Sequence, residues 1–96
     1  MADGGKSPED IGLRLTALRE AMGLNQAAFA KLVGFSQPAL ANYEKGYRRP
    51  NTDQAIQIVT RTGITLDWLY LGERAGLSQR LLALIGDFES RQRKAG

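Results

Sequence analysis

Residues 26–45, QAAFAKLVGFSQPALANYEK, hold two short amphipathic segments on either side of Gly34. Phe29 and Val33 are four apart and Leu40 and Tyr43 are three apart, so each pair shares one face of a helix. With Phe35 between them, these residues are spaced to close a small core between the two helices. Ala30 is small and faces inward, where two helix backbones must approach closely. Gly34 takes without strain the positive φ that a tight turn between helices requires. Both segments open on the same device. Leu24-Asn25 precedes one with Phe29 at N4, and Phe35-Ser36 precedes the other with Leu40 at N4. A polar cap flanked by such an apolar pair is a hydrophobic staple, which fixes how the chain enters a helix.

Similar signals extend in both directions. Ser7-Pro8-Glu9-Asp10 starts a helix, with Ser7 as cap, Pro8 at N1 and Asp10 near the positive end of the dipole. Ile11, Leu15, Leu18 and Met22 form its apolar face, and Gly23 ends it. Asn51-Thr52-Asp53-Gln54 reads as a capping box leading into Ala55, Ile56, Ile58 and Val59. Ile64-Thr65, with Leu69 at N4, is a third staple. Leu77-Ser78 starts a sixth helix with an apolar face of Leu81, Leu82, Ile85 and Phe88, widened by Leu84. Gly72 and Gly76 bracket Glu73-Arg74-Ala75 as a hinge. No alternating β-branched run occurs, so the expected fold class is all-α. Residues 1–7 are expected to be disordered and residues 8–72 to form one domain. Residues 73–90 are expected to add a C-terminal helix, and residues 91–96, with Arg91, Arg93 and Lys94, a frayed basic tail.

Composition narrows the chemistry. The chain has 96 residues and contains neither cysteine nor histidine. Disulfides, thiol nucleophiles and thiolate or imidazole metal sites are therefore absent, as is the side chain best suited to proton transfer near neutral pH. No nucleophile–base arrangement, Gly-rich phosphate loop or DxDxDG calcium loop is present, and no cofactor, metal or enzymatic activity is expected. No apolar run is long enough for a membrane span, and Met1 to Asp10 lacks the apolar segment of a secretory signal, so a cytoplasmic location is expected. Thirteen lysines and arginines against ten acidic residues, a formal charge of +3, lean weakly toward an anionic partner.

The two helices around Gly34 have the physical pattern of a helix-turn-helix. The stretch IGLRLTALREAMGLNQAAFAKLVGFSQPALANYEKGYRRPNTDQAIQIVTRTGITLDWLYLG, residues 11–72, resembles the XRE family, the Cro and phage-repressor type of DNA-binding domain. LNQ at the start of the second helix, YEKG at the end of the third, RRPN after it and the ITLDWLYLG ending all sit in register. The resemblance implies a compact five-helix bundle, here with a sixth helix added, that binds operator DNA as a symmetric dimer. It also implies a transcriptional regulator, most often a repressor, associated with the nucleoid.

The third helix would then lie in the major groove. Pro38 and Asn42 are four apart, as are Gln37 and Ala41, so these residues share its outward face. Gln and Asn can each pair bidentately with adenine N6 and N7. In the family, the positions matching Gln37, Pro38 and Asn42 touch bases. Many relatives carry polar residues at the positions of Pro38 and Ala41, so this chain's reading face is more apolar. The plain alternative for Gln37 and Asn42 is solvated surface. The resemblance makes Gln26 a backbone contact that can also brace Gln37. Lys45, Arg48 and Arg49 cluster after the reading helix, with Tyr47 among them, on a loop suited to phosphates. Asn51 reads first as a helix cap, although relatives touch phosphate nearby. Arg19 and Glu44 match a partly buried ion pair that sets the angle between the first and third helices.

For the homodimer, the resemblance points to the fifth helix, with Leu66 and Tyr70 facing a partner. Trp68 is read as core. Leu77, Leu81, Leu84 and Phe88 offer a rival, a short heptad seam for a second copy or a protein partner. The competing possibility is that this face folds back onto the bundle. An antitoxin-type or partner-dependent interaction module on the same fold is the alternative to a DNA-reading regulator.

Overall fold

The computed structural model describes residues 5–95, with side chains described through Arg91. Residues 1–4 of the expected disordered N-terminus and residue 96 of the expected tail lie outside the described residues. Six helices follow in order: α1 (Pro8–Ala21), α2 (Gln26–Val33), α3 (Gln37–Glu44), α4 (Thr52–Thr62), α5 (Leu66–Leu71) and α6 (Gln79–Ala95). No strand occurs among the described residues.

Each helix starts where a short polar side chain accepts the N–H of its first turn. Ser7 accepts from Asp10 at 3.1 Å, Asn25 from Ala28 at 2.8 Å and Ser36 from Ala39 at 3.2 Å. Thr65 accepts from Trp68 at 2.9 Å, and Ser78 from Leu81 at 3.2 Å. Asn51 and Gln54 form a reciprocal capping box with both bonds at 2.9 Å. These caps satisfy donors that would otherwise be orphaned, each stabilising its helix by ~1 kcal/mol.

The apolar faces meet in one core built on Leu15, Leu18, Phe29, Leu40, Ile58 and Leu69, all fully buried. Trp68 belongs to it. Helix α1 crosses close over the C-terminal end of α3. A Cβ on Gly12 would stand 2.5 Å from the Tyr43 carbonyl oxygen and 2.6 Å from that of Glu44. Only a residue with no side chain permits that approach, and it lies at the helix proposed to read DNA.

Helix α6 packs on α1. Leu77, Leu81 and Ile85 are buried in the common core, and Leu82 and Leu84 are half-buried against it. Of the two readings of this stripe, Leu77 and Leu81 follow the fold-back onto the bundle, while Leu84 and Phe88 are half-buried. The reason is geometric, since α1 offers α6 a surface that the same stripe covers intramolecularly. The Gly72–Gly76 stretch is also not a free hinge. Arg74 donates through Nη2 to both carboxylate oxygens of Glu89 at 2.7 Å, and its carbonyl accepts from the Leu77 N–H at 3.0 Å. Helix α6 continues past Ser90 to Ala95, a stretch the sequence reading assigns to the frayed tail.

Arg14 is an unexpected member of the interior, only 5% exposed. It donates to the Leu69 carbonyl at 2.7 Å and to the Gly5 carbonyl, joining α1 to the end of α5 and to the segment before α1.

Candidate nucleic-acid interface

The turn between α2 and α3 is built on Gly34, which adopts φ 83° and donates to the Ala30 carbonyl at 2.8 Å. Phe35 then turns inward and meets Tyr43 edge-on, with ring centroids 5.6 Å apart. Helix α4 secures the turn from behind. Gln57 Nε2 donates to the Val33 carbonyl at 2.7 Å, and Arg61 Nη1 to that of Leu32 at 3.2 Å. These bonds occupy carbonyls that the last turn of α2 leaves without helical partners.

Helix α3 buries Leu40 and Tyr43 and turns its other side outward. Gln37 and Pro38 are exposed, while Ala41 and Asn42 are half-buried. Pro38 sits in the first turn, where its missing N–H leaves no bond unmade. The side chains of Gln37 and Asn42 make no hydrogen bond among the described residues. Their amides are thus available to a ligand, Gln37 at the first position of α3 and Asn42 in its second half.

The angle of that helix is held by Glu44, whose side chain is 5% exposed. Its carboxylate accepts from Arg19 Nε at 2.7 Å and Nη2 at 3.1 Å, and from Gln26 Nε2 at 3.0 Å. Arg19 also donates to the Leu24 carbonyl at 2.9 Å. One carboxylate therefore joins α1, α2 and α3. Gln26 differs from expectation here, because its amide braces Glu44 and not Gln37. A bond to a carboxylate is stronger than one to a neutral amide, and Glu44 is within reach.

After α3 the chain carries its cations outward. Lys45, Arg48 and Arg49 are exposed. The Lys45 ammonium lies 5.8 Å from the centroid of the Tyr47 ring. Arg48 has no side-chain bond among the described residues. Arg49 Nε donates to the Lys6 carbonyl at 3.1 Å. The Tyr70 hydroxyl donates to the Pro50 carbonyl at 3.1 Å. Burial pushes the Tyr70 phenol above its ordinary range, and the nearby Arg49 guanidinium pulls it partly back. Asn51 is occupied as the cap of α4 through both its side-chain oxygen and its backbone N–H. Of the α5 residues expected at a dimer contact, Leu66 is exposed and Tyr70 is half-buried.

The helix-turn-helix family matches residues 15–69, more than half of the chain. The chain belongs to the XRE-type helix-turn-helix family. The HTH-type transcriptional regulator ImmR of Bacillus subtilis (strain 168) is 30% identical over 59 residues, which cover 62% of this chain and 46% of that relative. The match thus spans less than half the length of the curated relative. No solved structure matches the chain.

Within this XRE-type domain, sequence reasoning missed three residues that hold α2 and α3 in place. Gln57 and Arg61 look like solvated α4 residues until the end of α2 is placed beside them. Gly12 carries a signal that is visible afterwards, a helix-disfavouring glycine in the interior of an otherwise well-formed helix.

Proposed function

We propose that the chain is a sequence-specific, double-stranded DNA-binding transcriptional regulator that represses by binding a palindromic operator as a homodimer. The observation that carries this reading is the outward face of α3. Two amides free of internal bonds, Gln37 and Asn42, stand beside apolar Pro38 and Ala41, and exposed Lys45, Arg48 and Arg49 follow at once. Amides pair with adenine edges, the apolar pair packs on thymine methyls, and the cations hold phosphates. The family and the name of the ImmR relative support a regulator.

A protomer measures 31 × 24 × 23 Å. In the proposed dimer the two α3 helices would enter successive major grooves on one face of B-DNA, about 34 Å apart. Exposed Leu66 on α5, with Tyr70 beside it, is the contact we assign to the dimer. Occupancy would block polymerase sterically, in the cytoplasm and on the nucleoid. Burial of Leu77 and Leu81 within the chain favours this reading over a partner-dependent module gripping through α6.

Selection from randomised duplexes tests the proposal. Enrichment of a palindrome with half-sites about one turn apart is expected. Asn42→Ala should then lose about 1–3 kcal/mol at one base pair of each half-site and relax preference there. An unchanged preference for Asn42→Ala would refute the α3 register. Failure to enrich any sequence would refute specific recognition.

A further inference from the structure

The segment preceding α1 lies against the loop that follows the reading helix. A Cβ on Gly46 would stand 2.9 Å from the Glu9 Cα, so the first turn of α1 rests directly on that loop. The Lys6 carbonyl accepts from Arg49 Nε at 3.1 Å. The backbone of Lys6 is therefore in contact with the guanidinium of an exposed residue of the loop that follows α3. Lys6 itself is exposed, and its side chain makes no bond among the described residues.

From this juxtaposition we propose that Lys6 and Arg49 form a second phosphate-binding element, in which the segment before α1 grips the DNA backbone beside the α3–α4 loop. The inference rests on the DNA-binding reading above. A guanidinium that gives its Nε–H to a fixed carbonyl keeps its terminal amino groups, and its plane is set by that bond. The Lys6 carbonyl thus aims Arg49, and the Lys6 ammonium adds a mobile charge to the same phosphate run. Of the neighbouring carboxylates, Asp10 is engaged by the Ser7 hydroxyl at 2.9 Å, while Glu9 and Asp53 are exposed. The cations Lys6, Lys45, Arg48 and Arg49 therefore outnumber the free carboxylates along this edge.

The test compares the full chain with Lys6→Gln, Arg49→Gln and Arg48→Ala. Affinity is measured against salt, on the selected operator and on an unrelated duplex of equal length. Each phosphate contact contributes about 0.9 to the slope of log affinity against log salt. Lys6→Gln should lower the slope by about one, so that wild type loses about 3–4-fold more affinity than the variant between 50 and 200 mM salt. The loss should be equal on both duplexes, with an unchanged melting temperature, because Lys6 contributes only its carbonyl to the fold. Lys6→Gln and Arg49→Gln together should lower the slope by about two. An unchanged slope for Lys6→Gln, with a lowered slope for Arg48→Ala, overturns this inference and leaves the DNA-binding reading standing. Absence of salt-dependent binding by wild type overturns both.

Discussion

Replacing Glu44 by alanine should strand Arg19. The carboxylate accepts three bonds, two from Arg19 and one from Gln26, and the two charged side chains are 13% and 5% exposed. Removing one side of a buried ion pair costs about 3–5 kcal/mol, because the remaining charge stays out of water without compensation. Two features place this case at the lower end. Arg19 keeps its bond to the Leu24 carbonyl, and the Glu20 carboxylate lies 3.8 Å away. The expected loss is therefore about 3 kcal/mol, a large share of the stability of a small domain. At ~4–8 °C per kcal/mol the melting temperature should fall by about 12–24 °C. Urea titration followed by helical circular dichroism and by the fluorescence of buried Trp68 measures it directly. Replacing both partners, Arg19→Met with Glu44→Leu, should recover most of the loss, since an apolar pair of similar volume is often neutral or better. The single and double variants close a cycle whose coupling energy isolates the pair. A Glu44→Ala variant within about 0.5 kcal/mol of wild type would refute the reasoning, because that is the ordinary range of a surface substitution.

Gly12→Ala tests the α1–α3 crossing. Alanine favours a helix by about 1 kcal/mol over glycine, but its Cβ would force two backbone carbonyls aside, an overpacking penalty of typically 1–3 kcal/mol. Net destabilisation with weakened DNA binding is expected, and a stabilised variant that binds normally would show that the helices are not in backbone contact. Ile85→Ala should lose about 2–5 kcal/mol in urea titration if α6 is part of the core, and a change below about 1 kcal/mol would mean that α6 is not docked. Tyr70→Phe removes the bond to the Pro50 carbonyl and should cost about 0.5–1.5 kcal/mol near neutral pH. The folded Tyr70 phenol titrates above its ordinary value of 10.0. Its contribution is thus fully present below that pH and is lost as pH rises through the folded value. Denaturation of both proteins across that range should show the wild-type advantage shrinking, and an advantage that grows with pH would contradict the burial of the phenol.

Much of the fold was legible because its signals are local. Caps at Ser7, Asn25, Ser36, Asn51, Thr65 and Ser78 act within three residues, and the apolar periodicity of each helix acts within two turns. Gly34 could be placed in the turn for the same reason. The outward face of α3 followed from spacing, since Leu40 and Tyr43 had to be inside. Long-range pairings had no such signal. Arg14 looks like one more charge on a helix until the Leu69 carbonyl is brought to it from α5. Gln57 and Arg61 acquire a role only when α4 lies behind the turn. The stripe on α6 was equally consistent with a partner and with the chain's own core, because periodicity states that a face is apolar and not what covers it.

The sequence by itself therefore determined six helices, their starts, the ends of all but the last, the tight turn at Gly34 and the residues that α3 turns outward. Short-range hydrogen bonds and the 3.6-residue period decide those features, and both act between neighbours in the chain. The tertiary structure alone decided that Glu44 joins three helices, that Gln26 serves Glu44 and not Gln37, that α6 closes on α1, and that the segment before α1 reaches Arg49. Each of these is a choice among partners far apart in sequence, settled by which groups packing brings within a few ångströms and by what it costs to leave a buried polar group without a partner.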